Sequence, residues 1–301
     1  MSRLIILAIV LLSAASGTYL AGAQQPGDEE VRGAFLSTRP KTTNTNAPAR
    51  RRRPPQRPTN TTTTVKNTNT GKAPGSTNSN TSFAGNSNKI FASAIALGYT
   101  IFMRDINGRA VRVDPAREFH NGDRIRISLE PNVDGYVYVF HTENDGPPEM
   151  IYPDARLEGG ENWVEAHVPI DIPSTVETDE RLRWFQFYGN AGVERLYVVV
   201  TREPLANVPY AESLVNYCTA NKDKCPWKPP VDAWAQIQLA SKAEVRIVTS
   251  KNAGEVQTEK EQVASTRGLG LDQTAPQPSV IRMSAATNAP VLVTILDLVH
   301  K

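Results

Sequence analysis

The sequence predicts a mostly β protein, an antiparallel β-sandwich with one short helix, preceded by a disordered linker. From Ile90 onward, short apolar or alternating segments recur between Gly, Pro, Asn and Asp, which is typical of strands joined by turns. No long amphipathic segment separates successive strands, so an antiparallel arrangement is favoured over a βαβ fold. Upstream, Thr, Asn and Ser fill 17 of the 24 positions from 59 to 82, a composition too polar to form a packed core.

Charge is distributed unevenly along the 301 residues. Residues 1–89 carry 12 of the 33 Lys and Arg residues and 3 of the 31 Asp and Glu residues, which leaves 21 basic and 28 acidic side chains for the rest. The net charge of +2 therefore conceals a basic leading part and an acidic body. This distribution excludes a uniformly basic nucleic-acid binder, and the lack of any 18-residue apolar run excludes a multi-span membrane protein.

Residues 1–23 are predicted to be a signal peptide. Arg3 supplies a basic start, Leu4–Leu12 is unbroken apolar sequence, and Ala21-Gly22-Ala23 offers the small side chains that signal peptidase accepts. An uncleaved anchor helix is the alternative, but the apolar run is too short to cross about 30 Å of hydrocarbon. We therefore expect cleavage after Ala23, no transmembrane span afterwards, and export to the periplasm, the cell envelope or the extracellular space.

Residues 24–89 are predicted to be a disordered basic linker rich in Thr, Asn and Pro. Its most basic stretch contains Arg50, Arg51, Arg52 and Arg53. These four side chains are a candidate contact for an anionic surface, because each basic residue gains about 1 kcal/mol near anionic lipid. The alternative is a solvated spacer that its own charge repulsion keeps open.

Strands are predicted along the chain from residue 99. Residues 99–103 and 110–113 form a hairpin around Asn107-Gly108, a pair typical of tight turns, and a calcium loop starting at Asp105 is the alternative. The alternation in residues 124–130 predicts a strand with its basic and polar side chains outward. Residues 136–140 are apolar on both faces and are expected inside a sheet. The remaining predicted strands are residues 149–152, 163–168, 184–188, 196–200, 244–249, 279–283 and 291–299.

One helix and one disulfide are predicted between these strands. Pro209 near the start and apolar residues sharing a face predict a helix over about residues 210–219, whereas residues 234–239 are ambiguous between helix and strand. Cys218 and Cys225 are the only cysteines, and in an exported protein they are expected to close a small loop by a disulfide. A metal site or redox pair is the alternative, but zinc takes four ligands.

Several short motifs, in this order and spacing, resemble the domain of unknown function 4384 family over about residues 95–205. They are Leu97–Phe102, Phe119–Ile127, Asp134–Val139, Ile151–Asp154 and Glu194–Thr201. The resemblance implies a β-rich extracytoplasmic or accessory module, and it implies no catalytic residues. Residues 90–301 are thus predicted to form one sandwich domain similar to this family, with a C-terminal extension.

The sequence contains no recognisable reactive constellation. Its four His residues lack metal-ligand spacing, so we predict neither a metal nor a cofactor. Trp163 and the nearby His167 are candidate partner-binding residues if the Trp163 side chain points outward; a buried core Trp is the other interpretation and the favoured one. Several acids lie close together in sequence and form either a solvated rim or paired catalytic carboxylates. These acids are Glu143, Asp145, Glu149 and Asp154.

We therefore expect an exported, non-enzymatic binding or scaffold module of the cell envelope that acts through protein–protein contacts. Its partner would be an envelope protein or a glycan, with a further electrostatic contact between the linker and an anionic surface. A polysaccharide hydrolase with spatially assembled carboxylates is the alternative. An accessory or sensor role in an envelope machine is a third hypothesis.

Overall fold

Two β-sheets packed face to face form the body of the protein. The computed structural model describes residues 26–44 and 94–301, and every structural statement below refers to these residues. The strands are β1 (Ala96–Arg104), β2 (Ala110–Val113), β3 (Glu118–Phe119), β4 (Arg124–Pro131), β5 (Gly135–Glu143), β6 (Glu149–Tyr152), β7 (Trp163–Val164), β8 (Ile170–Ile172), β9 (Phe185–Gln186), β10 (Gly192–Thr201), β11 (Val245–Thr249), β12 (Val280–Ser284) and β13 (Val291–His300). The helices are α1 (Pro26–Ser37), α2 (Ala211–Ala220), α3 (Val231–Ala240) and α4 (Glu259–Arg267).

The strands divide into a seven-stranded and a six-stranded sheet. The first sheet has the order β11-β12-β1-β4-β8, with β2 also paired to β1 and β9 to β4. The second has the order β3-β13-β10-β5-β6, with β7 also paired to β5. All pairings are antiparallel except that of β13 with β3. The predicted antiparallel sandwich is confirmed, and the apolar strand β5 lies inside the second sheet as expected; β13 is internal to this sheet as well.

Alternation along the strands directs every second side chain into the space between the sheets. Leu97 and Ile101 of β1 share one buried cluster with Val137, Val139 and Leu196 of the opposite sheet. Burying such side chains stabilises the fold by about 1.5–3 kcal/mol each relative to full exposure. The main core therefore comes from the strands that the periodicity predicts.

A second core lies on the outer face of the second sheet. Tyr138 and Phe140, which alternate with the inner residues of β5, pack with Leu214 of α2, Ile237 of α3 and Trp227. The predicted helix is confirmed as α2, and the ambiguous segment is the helix α3. The disulfide links Cys218 to Cys225 as predicted, and thus joins α2 to the segment that leads into α3.

A third cluster lies at the edge of the first sheet, where α1 covers it. Val31 and Phe35, four residues apart on α1, pack against Ile281 and Met283 of β12. The predicted linker is therefore wrong for residues 26–44, because one apolar stripe on a polar helix suffices to dock it on the sheet. Residues 1–25 and 45–93, which contain the predicted signal peptide and most of the predicted linker, lie outside the described part of the chain.

The segment that follows α1 is anchored at Asp272. Its carboxylate accepts a hydrogen bond from the Thr43 amide at 3.1 Å and is contacted by Lys260 Nζ at 2.6 and 2.7 Å. Burial by itself raises the pKa of Asp272, but hydrogen bonds from Lys260, Thr274 and the Thr43 amide outweigh it, so the pKa lies well below its usual range.

Turns explain where the predicted strands were too long and why the calcium alternative fails. The predicted strand 163–168 ends at Val164, because His167 adopts a φ of 59° and the Val168 amide donates to the Glu165 carbonyl. The predicted hairpin is confirmed, and the Asp105 carboxylate is occupied by Asn107 and Arg109 donors. None of the helices in residues 26–44 and 94–301 has the length and apolar character needed to cross a membrane.

Candidate functional site: an arginine-lined cavity on the first sheet

The outer face of the first sheet is charged although it is buried. Arg112 of β2, Arg126 and Glu130 of β4, and Asp171 of β8 are each at most 8% exposed. They occupy the strand positions that alternate with core-facing residues, and α1, α4 and adjoining loops cover them. Because an unpaired buried charge is costly, each of them needs a partner on this face.

The first ion pair joins the segment after α1 to β4. Arg39 Nε donates to Glu130 Oε1 at 2.8 Å, and Arg39 Nη2 donates to Glu130 Oε2 at 2.7 Å, a bidentate geometry. His167 Nδ1 lies 2.8 Å from Glu130 Oε1, and its Nε2 lies 2.7 Å from Thr38 Oγ1. Both carboxylate oxygens are thus engaged, and we interpret this group as structural.

A second ion pair joins β2 to α4. Arg112 Nη2 donates to Glu261 Oε1, and Arg112 Nη1 donates to Thr100 Oγ1 at 3.3 Å. The other Glu261 oxygen accepts from the Thr258 amide and hydroxyl, a capping box that starts α4. Both oxygens of this carboxylate are again occupied.

The third ion pair, between Arg126 and Asp171, is incomplete. Arg126 Nε lies 3.7 Å from Asp171 Oδ2, which is too far for a hydrogen bond. Among the described residues, Arg126 Nε and both Asp171 oxygens are buried without a hydrogen-bond partner. Buried donors and acceptors at this ion pair thus lack hydrogen-bond partners in the described part of the chain.

Two neighbours hold the Arg126 guanidinium in place. It lies over the Trp184 ring, with its central carbon 4.4 Å from the ring centroid, and Nη2 donates to Gln257 Oε1 at 3.0 Å. Burial lowers the pKa of Arg126 below its usual range; Asp171 counters this, and Arg183 adds to it. Arg126 is therefore a preorganised cation with a second cation close by.

A cavity of about 180 Å³ opens beside this guanidinium. Its walls are Arg126, Thr175, Arg183, Gln262, Val263 and Thr266. Arg183 forms no ion pair within 4.0 Å in residues 26–44 and 94–301, and its Nε is buried without a hydrogen-bond partner there. Two arginines thus border one cavity, and Asp171 lies within ion-pair distance of one of them.

A smaller cavity lies on the other side of Thr175. It has a volume of about 20 Å³ and is lined by Asp171, Ser174, Thr175 and Ser265, among others. About 10–15 Å³ is enough for one water molecule, so this space suits a single water bound to Asp171. The larger cavity is lined by Arg126 and Arg183, and guanidinium groups are suited to binding an anion.

The residues predicted to bind a partner do not form this site. Trp163 is 7% exposed and His167 is 1% exposed, so the structure buries both: the core interpretation applies to Trp163, and His167 serves the contact with Glu130 and Thr38. Arg50, Arg51, Arg52 and Arg53 lie outside the described residues. Sequence reasoning missed Arg126 and Arg183; alternation placed Arg126 on an outward face that looked solvated.

Three of the four acids considered for catalysis have basic partners, and the fourth, Glu143, is exposed. Asp145 pairs with Arg195 and Asp154 with Arg156, while Glu149 lies 3.8 Å from His141. This arrangement favours the surface rim over paired catalytic acids. No group of three His, Cys, Asp or Glu in the described part of the chain is placed to hold a metal ion.

Fold and cavity together define a two-sheet antiparallel β-sandwich protein with helices on both outer faces and an arginine-lined cavity on one of them. Residues 118–204 match the family model described as Domain of unknown function (DUF4384), which confirms the resemblance to that family over these residues. Neither the curated proteins nor the solved structures contain a significant match. The match spans β3 to β10 and includes Arg126, Asp171 and Arg183, whereas α4 lies beyond it.

Proposed function

We propose that the chain is an exported, non-enzymatic binding module of the cell envelope, and that an envelope protein docks an acidic group into the arginine-lined cavity. The observation that carries this proposal is Arg183, a cation that borders the cavity beside Arg126 without an acid in ion-pair distance in the described chain. A binding partner with an acidic side chain would supply the missing counter-charge. Charge complementarity of this kind contributes more to the choice of partner than to the strength of binding.

Two features support export. The first 23 residues have the pattern of a signal peptide, and the Cys218–Cys225 disulfide is of the type that persists in oxidising compartments. Fractionation of cells that express the full chain tests this part directly. We expect the protein outside the cytosol, shortened by 23 residues in intact-mass spectrometry, and without free thiols. A full-length, reduced chain in the cytosol would contradict export.

Site-specific photo-crosslinking in the intact envelope tests the docking surface. Gln262 lines the cavity and is exposed, whereas Gln238 is exposed on α3 at the opposite side of the sandwich and serves as the matched control. We expect a protein adduct with the crosslinker at position 262 and none at 238. Adducts at 238 alone, or a glycan adduct at 262, would contradict docking of a protein at the cavity.

A further inference from the structure

Two cations, Arg126 and Arg183, line the cavity, and one acid lies within ion-pair distance of one of them. This acid, Asp171, is not part of the cavity wall, but its Oδ2 lies 3.7 Å from Arg126 Nε. The Asp171 side chain is inaccessible to solvent and lines the smaller, water-sized space. The carboxylate thus neutralises one arginine without occupying the larger cavity.

We infer that the cavity binds one carboxylate group, held between Arg126 and Arg183, and that Asp171 makes it selective for a single negative charge. This inference rests on the proposed function, since it names the chemistry that docks at the same site. The carboxylate comes either from a free small acid or from an acidic side chain of a peptide, and the experiment below separates these sources.

Hydrogen-bonding capacity favours an oxyanion. The guanidinium groups of Arg126 and Arg183 line the cavity, and Thr175 and Gln262 add polar groups to the wall. Guanidinium groups match the planar, two-oxygen geometry of a carboxylate. The Arg126 guanidinium is already held against the Trp184 ring, so the Arg126 side chain loses little conformational freedom when a ligand binds.

Charge favours a carboxylate over a phosphate group. A phosphate monoester carries about −1.5 to −2 charges at pH 7, more than the single positive charge that Arg126, Arg183 and Asp171 carry together. The excess would face the buried Asp171 carboxylate at low local dielectric, where like charges repel strongly. A carboxylate carries one charge, which the site balances.

Cavity size favours a group larger than water. The volume of about 180 Å³ exceeds more than tenfold the roughly 10–15 Å³ that one water needs. Val263 supplies an apolar wall for the methylene carbons of a short acid. The end of an aspartate or glutamate side chain has this composition.

Isothermal titration calorimetry on the purified chain with its disulfide intact tests the inference. The probes are acetate, glutarate, inorganic phosphate, and a peptide with blocked termini and one Glu among neutral residues. We expect the peptide or one of the carboxylates to bind, and phosphate to bind more weakly. Tighter binding of the peptide than of acetate and glutarate identifies a peptide side chain as the source, and the reverse identifies a free acid.

Variants assign the binding to the cavity. Arg183→Gln should weaken carboxylate binding about tenfold or more, since a hydrogen bond to a charged group is lost, and Arg183→Lys should recover part of it. Asp171→Asn should shift the preference towards phosphate. Arg181→Gln is the matched control, because Arg181 pairs with Asp179 at the surface and does not line the cavity. This variant should bind carboxylates with the affinity of the parent protein. Unfolding curves confirm that each variant is folded.

Three results would overturn the inference. They are the absence of carboxylate binding to the parent protein, equal binding by Arg183→Gln, and tighter binding of phosphate than of any carboxylate by the parent. Each is distinguishable from failure of the proposed function, because a protein adduct at Gln262 can still form when no isolated carboxylate binds.

Discussion

Replacement of Arg39 by alanine tests whether the segment after α1 belongs to the folded body. The Arg39 guanidinium is 2% exposed and binds both oxygens of Glu130 at 2.8 and 2.7 Å. It also donates to three backbone carbonyls of the C-terminal extension, those of Asp272, Ala275 and Pro276. One side chain therefore ties residues 26–44 to β4 and to the extension.

The size of the effect follows from what Arg39→Ala leaves behind. Glu130 is 4% exposed and would retain only His167 at 2.8 Å among the contacts described above. Removing one partner of a buried ion pair destabilises a protein by about 3–5 kcal/mol. We expect a loss near the lower end of that range, because His167 still contacts one of the two oxygens.

Urea unfolding at pH 7, followed by tryptophan fluorescence, measures this loss. Arg181→Ala is the control, since its partner Asp179 stays solvated at the surface, and it should unfold like the parent. The double variant Arg39→Met, Glu130→Leu should recover part of the stability, since no unpaired charge remains; recovery is incomplete because His167 and the three carbonyls lose their partners. If Arg39→Ala lowered the free energy of unfolding by no more than about 0.5 kcal/mol, the range of ordinary surface substitutions, docking of this segment would be refuted.

Two further predictions concern the disulfide and an acid. Replacing both Cys218 and Cys225 by serine should lower the free energy of unfolding by about 2.5 kcal/mol. This is the chain-entropy value for a loop closed by cysteines 7 residues apart. Equal urea midpoints for the variant and the oxidised parent would contradict it. The pKa of Asp272 is lower in the folded protein than in the unfolded chain, so the contacts of its carboxylate stabilise the fold fully at pH values above the ordinary pKa of about 3.9. This stabilisation is lost as the pH falls through the lowered folded-state pKa. Asp272→Asn should therefore differ most from the parent at pH 7 and progressively less below about pH 4, and a constant difference from pH 7 to pH 2 would argue against this ion pair.

Local periodicity was sufficient to locate most strands. Residues 110–113 and 149–152 were predicted with the bounds of β2 and β6, and β5 was recognised as internal because both of its faces are apolar. The strand predictions failed where a short turn interrupts the alternation, as at His167 with its positive φ. Period-two patterns report on which face a side chain occupies, but they do not mark the residue where pairing stops.

Two helices escaped prediction for different reasons. The α4 sequence is strongly polar, and its signal was the Thr258-x-x-Glu261 capping box, which precedes almost no apolar periodicity. The α1 segment lies next to sequence too polar to fold, and only Val31 and Phe35 mark its buried side. Tertiary packing stabilises such short helices more than their own propensity does.

The sequence by itself determined most strand positions, the helix α2 and the pairing of the two cysteines, because each depends on neighbours close in the chain. Only the tertiary structure decided that the outward side chains of β4 are buried and that Arg126 and Arg183 border one cavity. The covering helices lie far from these arginines in sequence, and a strand pattern cannot encode what later packs on its outer face.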